Sequence, residues 1–204
     1  MTRIMRDSTT PADIPVAGTQ LVAGYANGIY QWTPDGYARF PGIPHVYIDV
    51  NGTDPAGAGV LDIEQGDASI ATAVSWVKAR TALKPGAYPP IIYCDRSNMG
   101  LLTEAMTAAG LHIVKDYRLW VATLDGTAVL PDMLGVTAVQ CKGEKMTGGH
   151  YDESIVYDDT WHAPAPPPPP PPPAPQYGYL VVHGNLAALT GRAVASLDGG
   201  RTWA

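Results

Sequence analysis

The sequence contains little cysteine, and what there is argues against a metal site. Its 204 residues include two cysteines, Cys94 and Cys141, which form no Cys-x-x-Cys pair and lie in no cluster with histidine. Zinc sites in sequences are recognised by such spacings. We therefore predict two free, buried thiols, because an unpaired cysteine usually packs as a small apolar side chain. The five histidines show neither metal spacing nor a catalytic-triad pattern.

Positive charge and long apolar runs are also scarce. The formal net charge is −6 and the pI is about 5.2, so the sequence lacks the basic footprint of a nucleic-acid-binding protein. No apolar stretch approaches the roughly 20 residues that a membrane span needs. The N-terminal MTRIMRDSTT lacks the apolar region of a secretory signal peptide. We expect a soluble chain with no nucleic-acid partner and no membrane partner.

A run of prolines divides the chain. Proline lacks an N–H group and fixes φ, so HAPAPPPPPPPPAP, residues 162–175, is predicted to be a polyproline II linker. It separates a main domain, residues 1–161, from a short β-rich tail, residues 176–204. SLDGGRTW in the tail resembles the Asp-box hairpin of sialidases and related β-propellers. A tail this short buries little surface alone, so we expect it to dock on the main domain, on a protein partner or on another copy.

Strand-like and helix-like stretches alternate within residues 1–161. The clearest helix is residues 68–84, where apolar residues recur at helical spacing, Asp67 or Ser69 can cap the start, and Pro85-Gly86 stops it. A short helix is predicted in 33–40, with Thr33 as its cap. Another follows Asn98 and ends at Gly110, and its apolar stripe is Leu101, Leu102, Ala105, Met106 and Ala109. The predicted strands are residues 3–7, 21–27, 45–51, 59–64, 90–95, 117–123, 136–141 and 151–157.

This alternation predicts an α/β fold with parallel strands and crossover helices. Eight strands indicate a compact (β/α)8 barrel of the TIM type. Because about 160 residues is short for that fold, some helices must be missing, and GTDPAGAG between the third and fourth strands leaves no room for one. An open doubly wound sheet is the alternative, but no Gly-rich phosphate loop follows the first strand.

Two carboxylates mark the end of the fourth strand. In VLDIEQGD, Asp62 and Glu64 are two residues apart, and side chains at that spacing share one face of a strand. The carboxyl ends of barrel strands are where βα barrels build active sites. Two neighbouring carboxyl groups raise each other's proton affinity, so one can stay protonated while the other ionises. The pair therefore predicts acid/base chemistry at the mouth of the barrel.

Other predicted strands end in acids, amides and aromatics. Aromatic faces stack on sugar rings and carboxylates bond hydroxyl groups, so such a rim is suited to a glycan. The candidate substrate-binding residues are Asp7, Tyr25, Asp49, Tyr93, Trp120, Gln140 and Asp152.

The ordered set of strand ends resembles a known family. DIE in VLDIEQGD resembles the DxE signature of family-25 glycoside hydrolases, the muramidases that cut peptidoglycan. IIYC, RLWVAT, AVQC and GGHYDESIVYDDTW resemble later strands of that family in the same order, and Asp7 matches an Asp that ends its first strand. The resemblance is closer still to the glycoside-hydrolase-like barrels of actinobacteria and their phages. It covers residues 3–161.

The resemblance implies a lysozyme-like hydrolase that needs no metal or cofactor. Glu64 would be the general acid that protonates the glycosidic oxygen, and Asp62 would steer it and stabilise positive charge. Asp7 and Asp152 would complete the acidic rim. The partner would be peptidoglycan or another cell-wall glycan. The resemblance also implies an association with a phage or an actinobacterium. We therefore expect the protein in a virion, in the host cytoplasm before release, or at a cell wall reached by a non-classical route.

Two alternatives stay open. The barrel is short and its seventh-strand aromatics are replaced. Because a fold can persist without its catalytic activity, the protein can be a non-catalytic virion or cell-wall component that binds glycan. The carboxylates Asp7, Asp49, Asp62 and Glu64 can also serve as hard oxygen ligands for a divalent metal. The spacing of Asp62 and Glu64 leaves retaining, inverting and substrate-assisted hydrolysis all possible.

Overall fold

A computed structural model describes residues 2–84, 88–128 and 134–157, and these residues form a closed barrel of eight strands. Each strand pairs with its neighbours in sequence, and the last closes on the first. The barrel prediction is therefore confirmed. The predicted linker, residues 162–175, and the tail with its Asp-box, residues 176–204, lie outside the described residues. The strands are β1 (Arg3–Asp7), β2 (Leu21–Tyr25), β3 (His45–Asp49), β4 (Val60–Asp62), β5 (Ile91–Asp95), β6 (Arg118–Ala122), β7 (Val136–Lys142) and β8 (Asp152–Val156).

The direction of the last strand differs from the prediction. Strands β1 to β7 are parallel, but β8 runs antiparallel to both β7 and β1. The all-parallel (β/α)8 arrangement is therefore wrong for β8. A parallel connection needs a crossover of a dozen or more residues, and the segment from Lys142 to Asp152 holds only the short helix α4 (Glu144–Thr147). The chain returns directly instead, which brings the first residue of β8 to the mouth where β1 ends.

The longer helices lie where the apolar periodicity predicts them. Helix α1 (Pro34–Ala38) is capped by Thr33, and α2 (Ile70–Leu83) is capped by Ser69, whose Oγ accepts a hydrogen bond from the backbone N–H of Thr72 at 3.1 Å. Of the two predicted caps for α2, the structure selects Ser69. The predicted stop at Pro85-Gly86 lies outside the described residues. No helix separates β3 from β4, as expected.

Helix α3 (Met99–Ala108) corrects one detail. Leu101 was placed in its apolar stripe, but this side chain is 61% exposed. The buried face is Met99, Leu102 and Met106 instead. The helix begins one residue after Asn98, so the side chains three and seven positions after Met99 return to the barrel wall. Gly110 follows with φ +76°, a left-handed conformation that favours glycine at the end of a helix.

Side chains of the barrel strands divide between two cores. One core fills the lumen and includes Met5, Val60, Ile91 and Ala138. The other lies between the outer wall and helices α2 and α3, and it includes Leu61 from β4 and both cysteines. Cys94 and Cys141 are free and buried, as predicted. Val60 faces inward and Leu61 outward, so the predicted alternation of β4 is confirmed and Asp62 is directed into the lumen.

No helix in the described part of the chain has both the length and the hydropathy of a membrane span.

Candidate active site

Three carboxyl groups meet at one mouth of the lumen. Asp7 lies two residues after the lumen residue Met5, and Asp62 lies two residues after Val60. Asp152, the first residue of β8, is paired directly with Asp7 in the antiparallel register. Residues at that spacing or directly opposite each other share one face of the sheet. The reversal of β8 therefore places Asp152 beside Asp7.

Glu64 joins this group from the turn after β4. The strand ends at Asp62, two residues earlier than predicted, and the backbone N–H of Glu64 donates to Asp62 Oδ1 at 2.9 Å. Tyr93 pairs with Asp62 in the β4–β5 register, and its hydroxyl lies close enough to the Glu64 carboxylate to oppose the rise of that group's pKa. Asp62 is only 4% exposed, whereas Glu64 is partly exposed. Asp62 therefore lies inside the lumen, and Glu64 lies at its opening to solvent.

The aromatic side chains have different surroundings. Tyr93 and Trp120 lie with ring centroids 4.6 Å apart, and Trp120 donates from Nε1 to Ser154 Oγ at 3.0 Å. Trp120 is 1% exposed, so it supports the floor of the site and offers no open face to a sugar. Tyr25 is partly exposed, and its ring lies 6.4 Å from that of the exposed Tyr30. These two tyrosines offer aromatic surface at the mouth.

Gln140 reaches the acids from β7. Its Nε2 donates to Asp152 Oδ2 at 2.6 Å. An irregularity in the β7–β8 register follows it, between Gln140 and Lys142. Such bulges re-aim side chains next to functional sites. Gln140 is 3% exposed.

Asp49 lies apart from the other predicted residues. It ends β3 on the outward face, is fully buried and accepts hydrogen bonds from six donors at 2.7–3.3 Å. Asn27 and Trp76 donate from side chains, and the loop after β3 donates from backbone N–H groups. The structure therefore makes Asp49 the anchor of the helix-free loop between β3 and β4 and does not bring it to the mouth. The donors are Asn27 Nδ2, Trp76 Nε1 and the backbone N–H groups of Asn51, Gly52, Thr53 and Asp54.

The electrostatics of the mouth favour protonated acids. Burial, followed by the charge of Asp152, raises the pKa of Asp7 well above its usual value. Burial and the nearby charge of Glu64 raise the pKa of Asp62 to about 8, although the backbone N–H of Glu64 opposes the shift. Burial and the charge of Glu144 raise the pKa of Asp152 to about 6. Burial also raises the pKa of Glu64, against the bond from Tyr93.

Two further residues contribute to the site although they belong to no sequence motif. Ser154 anchors Trp120, and Glu144 at the start of α4 adds negative charge to Asp7 and Asp152. Alternation along β8 is a signal for Ser154, since it lies two residues after Asp152. No sequence signal identifies Glu144, because a loop places it.

A metal site of the predicted composition is not assembled. Asp49 points away from Asp7, Asp62 and Glu64. Residues 2–84, 88–128 and 134–157 contain no group of three or more His, Cys, Asp or Glu side chains that could hold a metal ion.

Comparisons with known proteins do not assign this chain to a family. No protein-family model matches the chain, and no curated protein matches it. Among solved structures, a family 25 glycosyl hydrolase from Bacillus anthracis is similar over 77% of this chain and 89% of that chain, with 11% identity and a TM-score of 0.39. A likeness of this size supports no conclusion about function, which rests on the mouth of the barrel itself.

Proposed function

We propose that the protein is a lysozyme-like glycoside hydrolase that cleaves glycan strands of peptidoglycan by carboxylate acid/base catalysis. One observation carries this proposal: Asp62 and Glu64 lie at the same mouth as Asp7 and Asp152, and Glu64 is partly exposed to solvent. Glycoside hydrolysis uses two carboxyl groups, one of them with a raised pKa. The resemblance of VLDIEQGD to the muramidase signature supports the choice of substrate.

Glu64 has the properties of the general acid. Burial raises its pKa, which favours the protonated form that a general acid needs, and its partial exposure lets it reach a glycosidic oxygen. The hydroxyl of Tyr93 holds the carboxyl group in place from the neighbouring strand. Tyr93 is itself held against Trp120 and, through it, Ser154. The acid is thus positioned by side chains whose own contacts are made inside the barrel.

Asp62 is suited to stabilising positive charge. Its pKa of about 8 keeps Asp62 mostly protonated, and so neutral, at pH 7 in the protein without substrate. A cationic centre developing within a few ångströms favours the ionised form of a carboxyl group. Asp62 then supplies negative charge to the transition state more than to the ground state, which is the condition for catalysis.

The test is the release of new reducing ends from purified peptidoglycan. Glu64→Gln should lower the rate by at least about 10²-fold, the usual contribution of a general acid. Asp62→Asn should lower it less than Glu64→Gln. Glu104→Gln, which removes an exposed carboxylate from α3, is the matched control and should leave the rate unchanged. Full activity of correctly folded Glu64→Gln, checked by thermal unfolding, would exclude this residue as the acid.

A glycan-binding barrel without catalysis is the second candidate. The observation that favours it is the low exposure of Asp62 and Asp7, 4% and 5%, which leaves little room for a sugar ring beside them. Under this proposal, wild-type protein sediments with peptidoglycan but releases no reducing ends. Sedimentation together with such release decides for the hydrolase.

The setting of the activity is also a proposal. The resemblance to barrels of actinobacteria and their phages supports a virion or cell-wall role. In that role the tail, residues 176–204, would bind a protein partner or another copy.

A further inference from the structure

Three buried side-chain oxygens at the mouth make no hydrogen bond of ordinary geometry within the described part of the chain, although the backbone N–H of Glu144 lies near enough to Asp152 to oppose the rise of its pKa. They are Asp7 Oδ1, Asp152 Oδ1 and Gln140 Oε1. Asp7 and Gln140 are 5% and 3% exposed. A buried polar atom without a partner costs about 1–3 kcal/mol, so three on adjoining side chains indicate a place where a ligand supplies the donors.

The three side chains are contiguous. Asp7 and Asp152 are directly opposed in the β1–β8 register, and the Gln140 amide is bonded to Asp152 at 2.6 Å. That bond uses an N–H of Gln140 and one oxygen of Asp152. Gln140 Oε1 and Asp152 Oδ1 take no part in that bond.

The positive side chains nearest in sequence face away from this place. Arg6 precedes Asp7 and Lys142 lies two residues after Gln140, yet both pair with Glu153 on the outer face of β8, at 3.0 Å and 2.7 Å. Alternation along β1 puts Arg6 outside and Asp7 inside. The irregularity between Gln140 and Lys142 turns Lys142 to the outer face, away from Gln140. The acids of the mouth therefore have neither Arg6 nor Lys142 as a partner.

We propose that Asp7, Asp152 and Gln140 form a subsite for a primary ammonium group. Such a group carries three N–H donors and a positive charge, which matches three acceptors in an acidic surrounding. An N-acetyl group, which offers one N–H and one carbonyl oxygen, satisfies only one of them. The inference rests on the proposed function for the source of the ammonium: a de-N-acetylated amino sugar of the glycan, or a free side-chain amine of its peptide.

Binding of the cation should displace a proton. Asp7 faces Asp152 from β8, Asp62 from β4, Glu64 from the turn after β4 and Glu144 from α4. Burial and these charges favour its protonated form. Tyr25 and Tyr93 also face it. An ammonium ion reverses this preference, so calorimetry in buffers of different ionisation enthalpy should detect proton release on binding.

The experiment is isothermal titration calorimetry with wild-type protein and with Glu64→Gln, which prevents cleavage. The probes are a glucosamine tetramer, an N-acetylglucosamine tetramer and a lysine-containing tripeptide. An amine probe should bind about tenfold or more tighter than the N-acetylated tetramer, since a charged hydrogen bond contributes about 1.5–3 kcal/mol. Preference for the glucosamine tetramer assigns the amino sugar, and preference for the tripeptide assigns the peptide amine.

Variants locate the preference. Asp7→Asn and Gln140→Leu should each reduce it several-fold, and Glu104→Gln should keep it. Equal binding of all probes, no binding of either amine, or binding without proton release by wild-type protein would overturn the inference. If the protein cleaves peptidoglycan but shows no preference for amine probes, the ammonium subsite is excluded and the proposed hydrolase is unaffected. An amine preference without cleavage by the wild type counts against the hydrolase alone.

Discussion

Asp49 and Asp62 end neighbouring parallel strands, are both buried, and have opposite surroundings. Asp49 faces outward and accepts hydrogen bonds from six donors, and its pKa is below the usual value. Burial alone would raise that pKa, but the bonds from Asn27 and the loop backbone outweigh it. Asp62 faces the lumen, where one backbone N–H at 2.9 Å opposes burial and nearby acids, and its pKa rises to about 8.

This difference separates a carboxylate that stabilises the fold from one whose burial is not compensated by hydrogen-bond donors. A buried charge is stable only where donors surround it. At Asp49 the folded chain supplies those donors, so nothing remains for a ligand. At the mouth the folded chain supplies few donors, so burial favours the protonated form of the acids. Perturbed acids in such clefts are characteristic of functional sites.

The largest effect is expected from Asp62→Asn. Above pH 4 the unfolded chain ionises Asp62 while the folded chain keeps it protonated up to about pH 8, so this residue makes stability fall as pH rises through that window. Removing the ionisable group should raise the free energy of unfolding by on the order of 4 kcal/mol at pH 8. Urea unfolding at pH 4 and pH 8 measures it, with a gain expected only at pH 8.

Glu104→Gln is the control for this measurement and should show no such gain. An equal change in Asp62→Asn at both pH values would remove the contrast with Asp49.

The opposite sign is expected from Asp49→Asn. The asparagine amide replaces one acceptor oxygen of Asp49 by an NH2 group, which faces N–H donors and cannot accept from them. We therefore expect a loss of about 3 kcal/mol in the free energy of unfolding at pH 7. The stabilising effect of Asp49 is present above the usual pKa of an aspartate and is lost as pH falls through its lowered folded pKa. Unfolding curves at pH 7 measure this loss, and a neutral result would mean that the loop does not need the carboxylate.

Asp152 and Glu153 repeat the contrast within one strand. Asp152 faces the lumen with a pKa of about 6, whereas Glu153 faces outward, and the bonds from Lys142 and Arg6 overcome burial and lower its pKa. Glu153→Gln should cost about 2 kcal/mol at pH 7, because it breaks two partly buried ion pairs. Asp152→Asn should instead stabilise the fold at pH 7. Thermal unfolding of the two variants side by side checks the signs, and destabilisation by both would break the contrast.

The smallest effect is expected from Asn27→Ala. Asn27 donates to Asp49 Oδ1 at 2.8 Å and accepts from the backbone N–H of Val50 at 3.0 Å. Losing both bonds at a partly exposed position should cost about 1 kcal/mol. Combined with Asp49→Asn, the loss should be less than the sum of the two single changes. Full additivity in a double-mutant cycle would separate Asn27 from the Asp49 cluster.

Much of the barrel follows from local patterns. Alternation predicted all eight strands and the inward direction of Asp62, and helical spacing with Ser69 predicted α2. The sequence did not reveal that β8 reverses, because direction depends on whether a connection is long enough to cross over. It also did not separate Asp49 from the mouth, since Asp62 and Asp49 look alike as acids that end strands.

By itself the chain determined the eight strands and the inward direction of Asp62, since both follow from a period of two along the backbone. Only the tertiary structure decided which acid meets donors and which does not. Those donors come from residues far away in sequence, such as Trp76 for Asp49 and Gln140 for Asp152. The energy of a buried charge depends on what folding places around it.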